Sequence, residues 1–222
     1  MTAAIAIARR KTFLPKARKR LRRLFPTWNL YQAKRGSANS ERWKLIAANL
    51  RGDETSLLDI GCNIGALTAD AAAAGMVAIG FDVDPLAIRR AGEYHKQAEG
   101  LAFGRLSFRP EVAGKLPRVD VTLCLSVHHY WARAYGDAAS WEMVRALMER
   151  TQSKFFFEPA STRSKYGEHA PPIVDLDRDS IVSHTLAALT SAGGGQFSVA
   201  CIGETAALSR EPFRLMFCAT RR

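Results

Sequence analysis

The chain has 222 residues, 47% of them hydrophobic, and a formal net charge of +11, which suits one α/β-sized domain plus a tail. No apolar run approaches the roughly 18 residues of a membrane-spanning helix. The four cysteines, Cys62, Cys124, Cys201 and Cys218, lie far apart with no Cys-x-x-Cys pair; they read as reduced thiols of an intracellular protein, and no metal site is expected.

The charge is unevenly placed. Residues 1–35 hold eleven Lys and Arg and no acid, while the other 21 basic residues are balanced by 21 acidic ones. A basic tail over residues 1–27 is therefore expected ahead of a domain over residues 28–222. Between Pro15 and Pro26 a short amphipathic helix is predicted, with Ala17, Leu21, Leu24 and Phe25 on one face and six Lys and Arg around the rest. Through residues 9–25 such a tail suits RNA phosphates or an anionic membrane surface. An Arg-rich, acid-free start is also the composition of an organellar transit peptide, and the plainest alternative is a solvated tail with no specific partner. The expected location is the cytoplasm, at the membrane periphery if the tail meets lipid.

In chain order, Ser40 is placed to cap a helix carrying Trp43, Ile46, Ala47 and Leu50. Leu57 to Ile60 is a strand entering a turn at Gly61, and an Ala-rich helix leaves it from Ala66 to Ala74. A second strand, Val77 to Phe81, ends at Asp82; Asp84 then caps and Pro85 begins a helix to about Gln97, with Leu86, Ile88, Ala91 and Tyr94 among its contacts. A third strand is expected near Arg105 to Phe108, followed by a loop, Arg109 to Pro117, whose only acid is Glu111. Val119 to Ser126 is a buried strand, and Asp137 opens a helix with Trp141, Val144, Leu147 and Met148 inward. Lys154 to Phe157 is a fifth strand ending at Glu158-Pro159. A long polar loop, Ala160 to Asp179, has the length at which loops are often functional. A helix from Ser180 to Ala192 and two strands, Gln196 to Ile202 and Phe213 to Ala219, complete the chain. His95 and His184 fall in helical patterns, as surface or packing residues.

The strand–loop–helix at Leu57 to Ala74 organises the rest. Gly61 and Gly65 permit a sharp turn and the close approach of a ligand. Asp59 stands at the carboxyl end of its strand, where open α/β sheets bind ligands, and Asp82 follows 23 residues later, where an acid meets a ribose diol. A dinucleotide loop, Gly-x-Gly-x-x-Gly, would put glycines at Asn63 and Ala66, and no Gly-Lys-Ser/Thr phosphate loop is present. A nucleoside without phosphate fits better, with Asp59 for an ammonium and Asp82 for a ribose, and S-adenosylmethionine is the natural candidate. Here the chain resembles the class I S-adenosylmethionine-dependent methyltransferases, whose Asp-x-Gly-x-Gly-x-Gly motif it matches except at Asn63. The fold that this implies is α/β and Rossmann-like, a seven-stranded, mostly parallel sheet with an antiparallel last strand.

A closer resemblance is to the methylphosphate capping enzymes, which methylate the γ-phosphate at RNA 5′ ends. Asn29-Leu30-Tyr31 through Arg35, then Arg42, match that family's opening. Asp59, Gly61, Cys62, Asn63, Gly65 and Thr68 reproduce its Asp-x-Gly-Cys-Asn-x-Gly-x-x-Thr loop. Leu123 to Ser126 is its Leu-Cys-Leu-Ser strand, and Glu158-Pro159 its Glu-Pro, with Tyr166 downstream. The substrate-facing segment departs: the family's Lys is His129 here, and its His is Ala132. The cofactor half is kept and the acceptor half rewritten. The resemblance implies S-adenosylmethionine held by Arg35, Asp59, Gly61, Cys62, Asn63, Gly65, Asp82, Val83 and Ser126, with Arg35 on the cofactor carboxylate. A hydroxyl or amine acceptor would gain from a general base, for which His128 and His129 are placed; Glu158 is the third candidate for chemistry, and Tyr130, Arg163 and Tyr166 are candidates to meet the acceptor. The expected activity is methyl transfer to a polar acceptor, O- rather than N-methylation, the acceptor being RNA or another phosphorylated molecule. The alternatives are a lipid-linked or saccharide acceptor at a membrane, or a non-catalytic S-adenosylmethionine-binding module.

Overall fold

The computed structural model describes residues 39–160, 177–205 and 214–222. The basic tail, Arg35, Arg163, Tyr166 and most of the long polar loop lie outside the described residues.

Seven strands form one sheet in the order β3-β2-β1-β4-β5-β7-β6. They are β1 (Ser56–Ile60), β2 (Val77–Asp82), β3 (Leu101–Arg105), β4 (Val119–Leu125), β5 (Thr151–Glu158), β6 (Phe197–Thr205) and β7 (Arg214–Arg221). β1 to β5 are parallel, and β7 enters antiparallel between β5 and β6. The chain order reverses beside β1, between β2 and β4, so the crevice over the carboxyl ends of these strands is the topological switch point. The helices are α1 (residues 39–48), α2 (Ala66–Ala73), α3 (Pro85–Tyr94), α4 (Pro110–Ala113), α5 (His128–Tyr135), α6 (Asp137–Arg150) and α7 (Arg178–Ala192).

Both faces of the sheet are covered, which is why the central strands read as apolar runs rather than alternations. Phe155 and Phe157 point to a core shared with Met143, Val144, Leu147 and Met148 of α6 and Ile181 and Leu189 of α7. Phe156, one residue out of phase, points to the opposite core with Ile46 of α1 and Leu67 and Ala71 of α2. All three phenylalanines are fully buried, each contributing about 1.5–3 kcal/mol of burial.

Several element boundaries differ from the sequence expectation. β3 begins four residues earlier, at Leu101, because its pairing is set by Ala78 to Asp82 of β2. The loop after it contains the short helix α4, with Glu111 exposed in its first turn. Asp84 caps α3 as expected, accepting from Leu86 N at 2.8 Å, but α3 stops at Tyr94. Its buried residues are Ala87 and Ala91, whereas Leu86 and Tyr94 are exposed: small residues face the sheet because the helix lies close to it. Ser40 is already inside α1 rather than before it. His128 to Tyr135, for which no element was expected, is helix α5.

Candidate functional site

The loop between β1 and α2 is tied to β2 by its backbone. Gly61 N and Cys62 N both donate to Phe81 O, at 2.7 and 3.0 Å. Asn63 N donates to Asp82 Oδ2 at 2.8 Å, and Asp84 N donates to Asp82 Oδ1 at 2.9 Å. The Asp82 carboxylate is therefore aimed by two main-chain donors and remains half-buried, with Val83 beside it 59% exposed. Asn63 has φ 53°, a left-handed conformation, and its Oδ1 accepts from Ile64 N at 2.8 Å. Asn tolerates that region through such a local bond, which accounts for an Asn where the general motif has Gly.

The two glycines make the sharp turn expected of them, and a second constraint adds to it. Gly61 (φ 80°) and Gly65 (φ 76°) are left-handed, but a Cβ at Gly61 would lie 2.2 Å from Val127 Cγ1, and one at Gly65 2.3 Å from the Phe103 ring. It is the protein's own side chains, not a ligand, that fill these spaces. Gly80 is equally constrained: its Cβ would lie 2.9 Å from both Cys62 Sγ and Thr68 Oγ1.

Asp59 is buried at the end of β1 and accepts from Thr68 Oγ1 at 2.7 Å. Burial raises its carboxyl to about pKa 6, with Thr68 and, more weakly, Arg42 opposing and Asp82 adding to the rise. Cys62 turns its side chain away from the crevice surface. Its thiol is buried against Gly80, and burial pushes its pKa far up, so it packs the loop from below.

The other half of the crevice lies over β4 and β5. Ser126 has φ 56°, the second left-handed residue that is not glycine. Its Oγ donates to Glu158 Oε1 and accepts from Arg42 Nη2 at 3.3 Å and Arg214 Nη1 at 3.1 Å. Arg42 closes on Glu158 with two bonds, Nε to Oε2 at 2.8 Å and Nη2 to Oε1 at 2.5 Å, and Arg214 Nη1 reaches Oε1 at 3.1 Å. Glu158 is fully buried and both arginines nearly so. Glu158, a candidate for chemistry, has its oxygens committed to two guanidinium groups. Arg42 was visible only as a family match, and Arg214 gave no sequence signal.

The histidines are also corrected. His128 is buried, with Nε2 2.9 Å from Ser140 Oγ and its ring against Trp141 and Phe157. Burial lowers its pKa to about 3, with His129 and His184 adding to the effect. His129 is buried too, its ring 4.1 Å from that of Tyr130. Helix α5 turns both inward, so neither stands in the crevice as a base. Tyr130 is 60% exposed on the same helix. His95, expected as a surface or packing residue, packs near Phe103, with Nε2 3.2 Å from Ile64 O. Among the described residues no three His, Cys, Asp or Glu side chains gather to hold a metal ion, and no helix is long and apolar enough to cross a membrane.

Residues 58–151, from β1 to the start of β5, match the family model Methyltransf_12, described as a methyltransferase domain. The fold over this stretch is that of a methyltransferase domain. S-adenosylmethionine is the cofactor such a domain uses, and the residues fit it: an aimed carboxylate at Asp82 for a ribose, an exposed apolar Val83 beside it for a base, and no loop for a pyrophosphate. The fold of the methyltransferase domain is also that of magnesium protoporphyrin IX methyltransferase (ChlM) from Synechocystis PCC 6803, solved with bound SAH. That structure has a TM-score of 0.61 and 17% identity, covering 93% of this chain and 94% of that one. N-methyltransferase NodS from Bradyrhizobium japonicum WM9 gives 0.60 and 15%, covering 87% and 97%. The bifunctional kinase-methyltransferase WbdD gives 0.61 and 20% over 81% of this chain and 39% of that one, so the chain spans about two fifths of WbdD's length. No curated protein sequence matches the chain.

Proposed function

We propose that the protein transfers a methyl group from S-adenosylmethionine to an anionic oxygen of a polar acceptor, RNA or another phosphorylated molecule. The observation that carries the cofactor half is the Asp82 carboxylate, aimed by Asn63 N and Asp84 N beside an exposed Val83. When bound, the cofactor supplies an electrophilic methyl on a sulfonium. The chain's own work is to hold the nucleophile near and in line. Asp82 takes the ribose, the Gly61 to Gly65 backbone frames the nucleoside, and Arg35 takes the carboxylate. Tyr130, Arg163 and Tyr166 meet the acceptor.

An acceptor already ionised at neutral pH needs no base. Among the described candidates, His128 and His129 are turned into the core and Glu158 is bound by two arginines, which favours such an acceptor. A likeness to a bifunctional kinase-methyltransferase is in keeping with a phosphorylated one. The tail of eleven Lys and Arg over residues 1–35 draws in a polyanion. The rival acceptor is a lipid-linked saccharide, with the same tail on an anionic membrane. The likeness to an N-methyltransferase makes an amine the rival atom.

Calorimetry with S-adenosylhomocysteine tests the cofactor half. Binding by the parent and a loss of about tenfold or more in Asp82→Ala are expected, from one charge-assisted hydrogen bond. No binding by the parent, with Asp82→Ala behaving alike, refutes the reading. Labelled S-adenosylmethionine in cell extract then identifies the acceptor; no labelled product would leave a non-catalytic binding module.

A further inference from the structure

We propose that Arg42, Glu158 and Arg214 are positioning residues for methyl transfer: together they lock Ser126 in its left-handed conformation, and so fix the wall of the crevice that faces the acceptor. This rests on the methyltransferase reading above. Ser126 is the hinge between β4 and α5, and residue 158 holds it twice. Glu158 O accepts from Ser126 N at 2.9 Å, extending the β4–β5 pairing by one bond, and the Glu158 carboxylate accepts from Ser126 Oγ. The carboxylate is in turn fixed by Arg42 from α1 and Arg214 from the first residue of β7. Four segments therefore converge on one hydroxyl at the carboxyl ends of the strands.

The next residue shows where that order is used. Val127 Cγ1 occupies the space where a Gly61 Cβ would sit, so Val127 presses directly on the cofactor loop. A Ser126 free to leave the left-handed region would swing Val127 away from Gly61 and tilt the start of α5, with Tyr130 on it. Both partners of an in-line displacement would then lose their alignment. The fixed carboxylate thus acts on the reaction through Ser126, without touching the reacting atoms.

The test uses the full chain, S-adenosylhomocysteine for binding, and labelled S-adenosylmethionine with cell extract as acceptor source. Ser126→Gly keeps the left-handed conformation accessible but removes what holds it. The expected result is a folded variant in which affinity for S-adenosylhomocysteine falls far less than turnover, which drops roughly ten- to a hundredfold at saturating cofactor. Glu158→Gln should show the same split. Parental turnover in Ser126→Gly overturns the proposal. So does a fall in cofactor binding that tracks the fall in turnover in both variants, because a merely structural role would move the two together. A parent that neither binds S-adenosylhomocysteine nor labels extract refutes the methyltransferase reading itself, and this proposal with it.

Discussion

The two halves of the crevice are built by different means. The half over β1 and β2 is made of backbone: Gly61 N, Cys62 N and Asn63 N all bond to β2, with at most twenty residues between partners. The half over β4 and β5 is made of side chains from Arg42, Ser126, Glu158 and Arg214, which meet across separations of 116, 84, 56 and 88 residues. A backbone-built site leaves its trace in sequence as glycines, an Asn and a spaced pair of acids. A side-chain-built site leaves only scattered charged residues, each unremarkable where it stands.

The largest effect separating the halves should come from Glu158→Ala. It strands two buried guanidinium groups, and urea denaturation should show a loss of about 3–5 kcal/mol. Gly61→Ala attacks the other half. A Cβ there is both left-handed and 2.2 Å from Val127, so about 3 kcal/mol of stability and measurable S-adenosylhomocysteine binding should both be lost.

Asp59 provides a pH test. Its carboxyl is raised from 3.8 to about 6, chiefly by burial, so the folded chain holds this proton more tightly than the unfolded one. Stability from this group is therefore present at low pH and falls as pH rises from about 4 to about 6. Asp59→Asn should abolish that slope, gaining about 3 kcal/mol over the parent across the window. Smallest is Asn63: Asn63→Ala should cost about 1 kcal/mol for its left-handed φ, while Asn63→Gly should melt close to the parent.

β1, α2 and β2 were legible because each is an apolar run ended by Gly or Asp, and β4 because it is a largely apolar run. The cofactor loop was legible for the same local reason, and the family match, which ends at residue 151, covers that same half. The misreadings share a cause. β3 was displaced because Leu101 to Arg105 is only half apolar and takes its register from β2. His128 and His129 follow a strand end, from which they were expected to enter the crevice. Helical geometry instead turned both inward, beside Trp141 and Tyr130. The partners of Glu158 were not legible because nothing in its neighbourhood names Arg42 or Arg214.

The position of β7 bears on how the molecule is made. Among the described residues β6 has no neighbour but β7, and β7 is hydrogen-bonded on both sides. On the ribosome, β6 emerges before the strand it needs, with its N–H and C=O groups unmet. The sheet cannot close until residues 214–221 have left the exit tunnel, and Arg214 reaches Glu158 at that same moment. Closing the sheet and joining Arg214 to Glu158 are thus a single step.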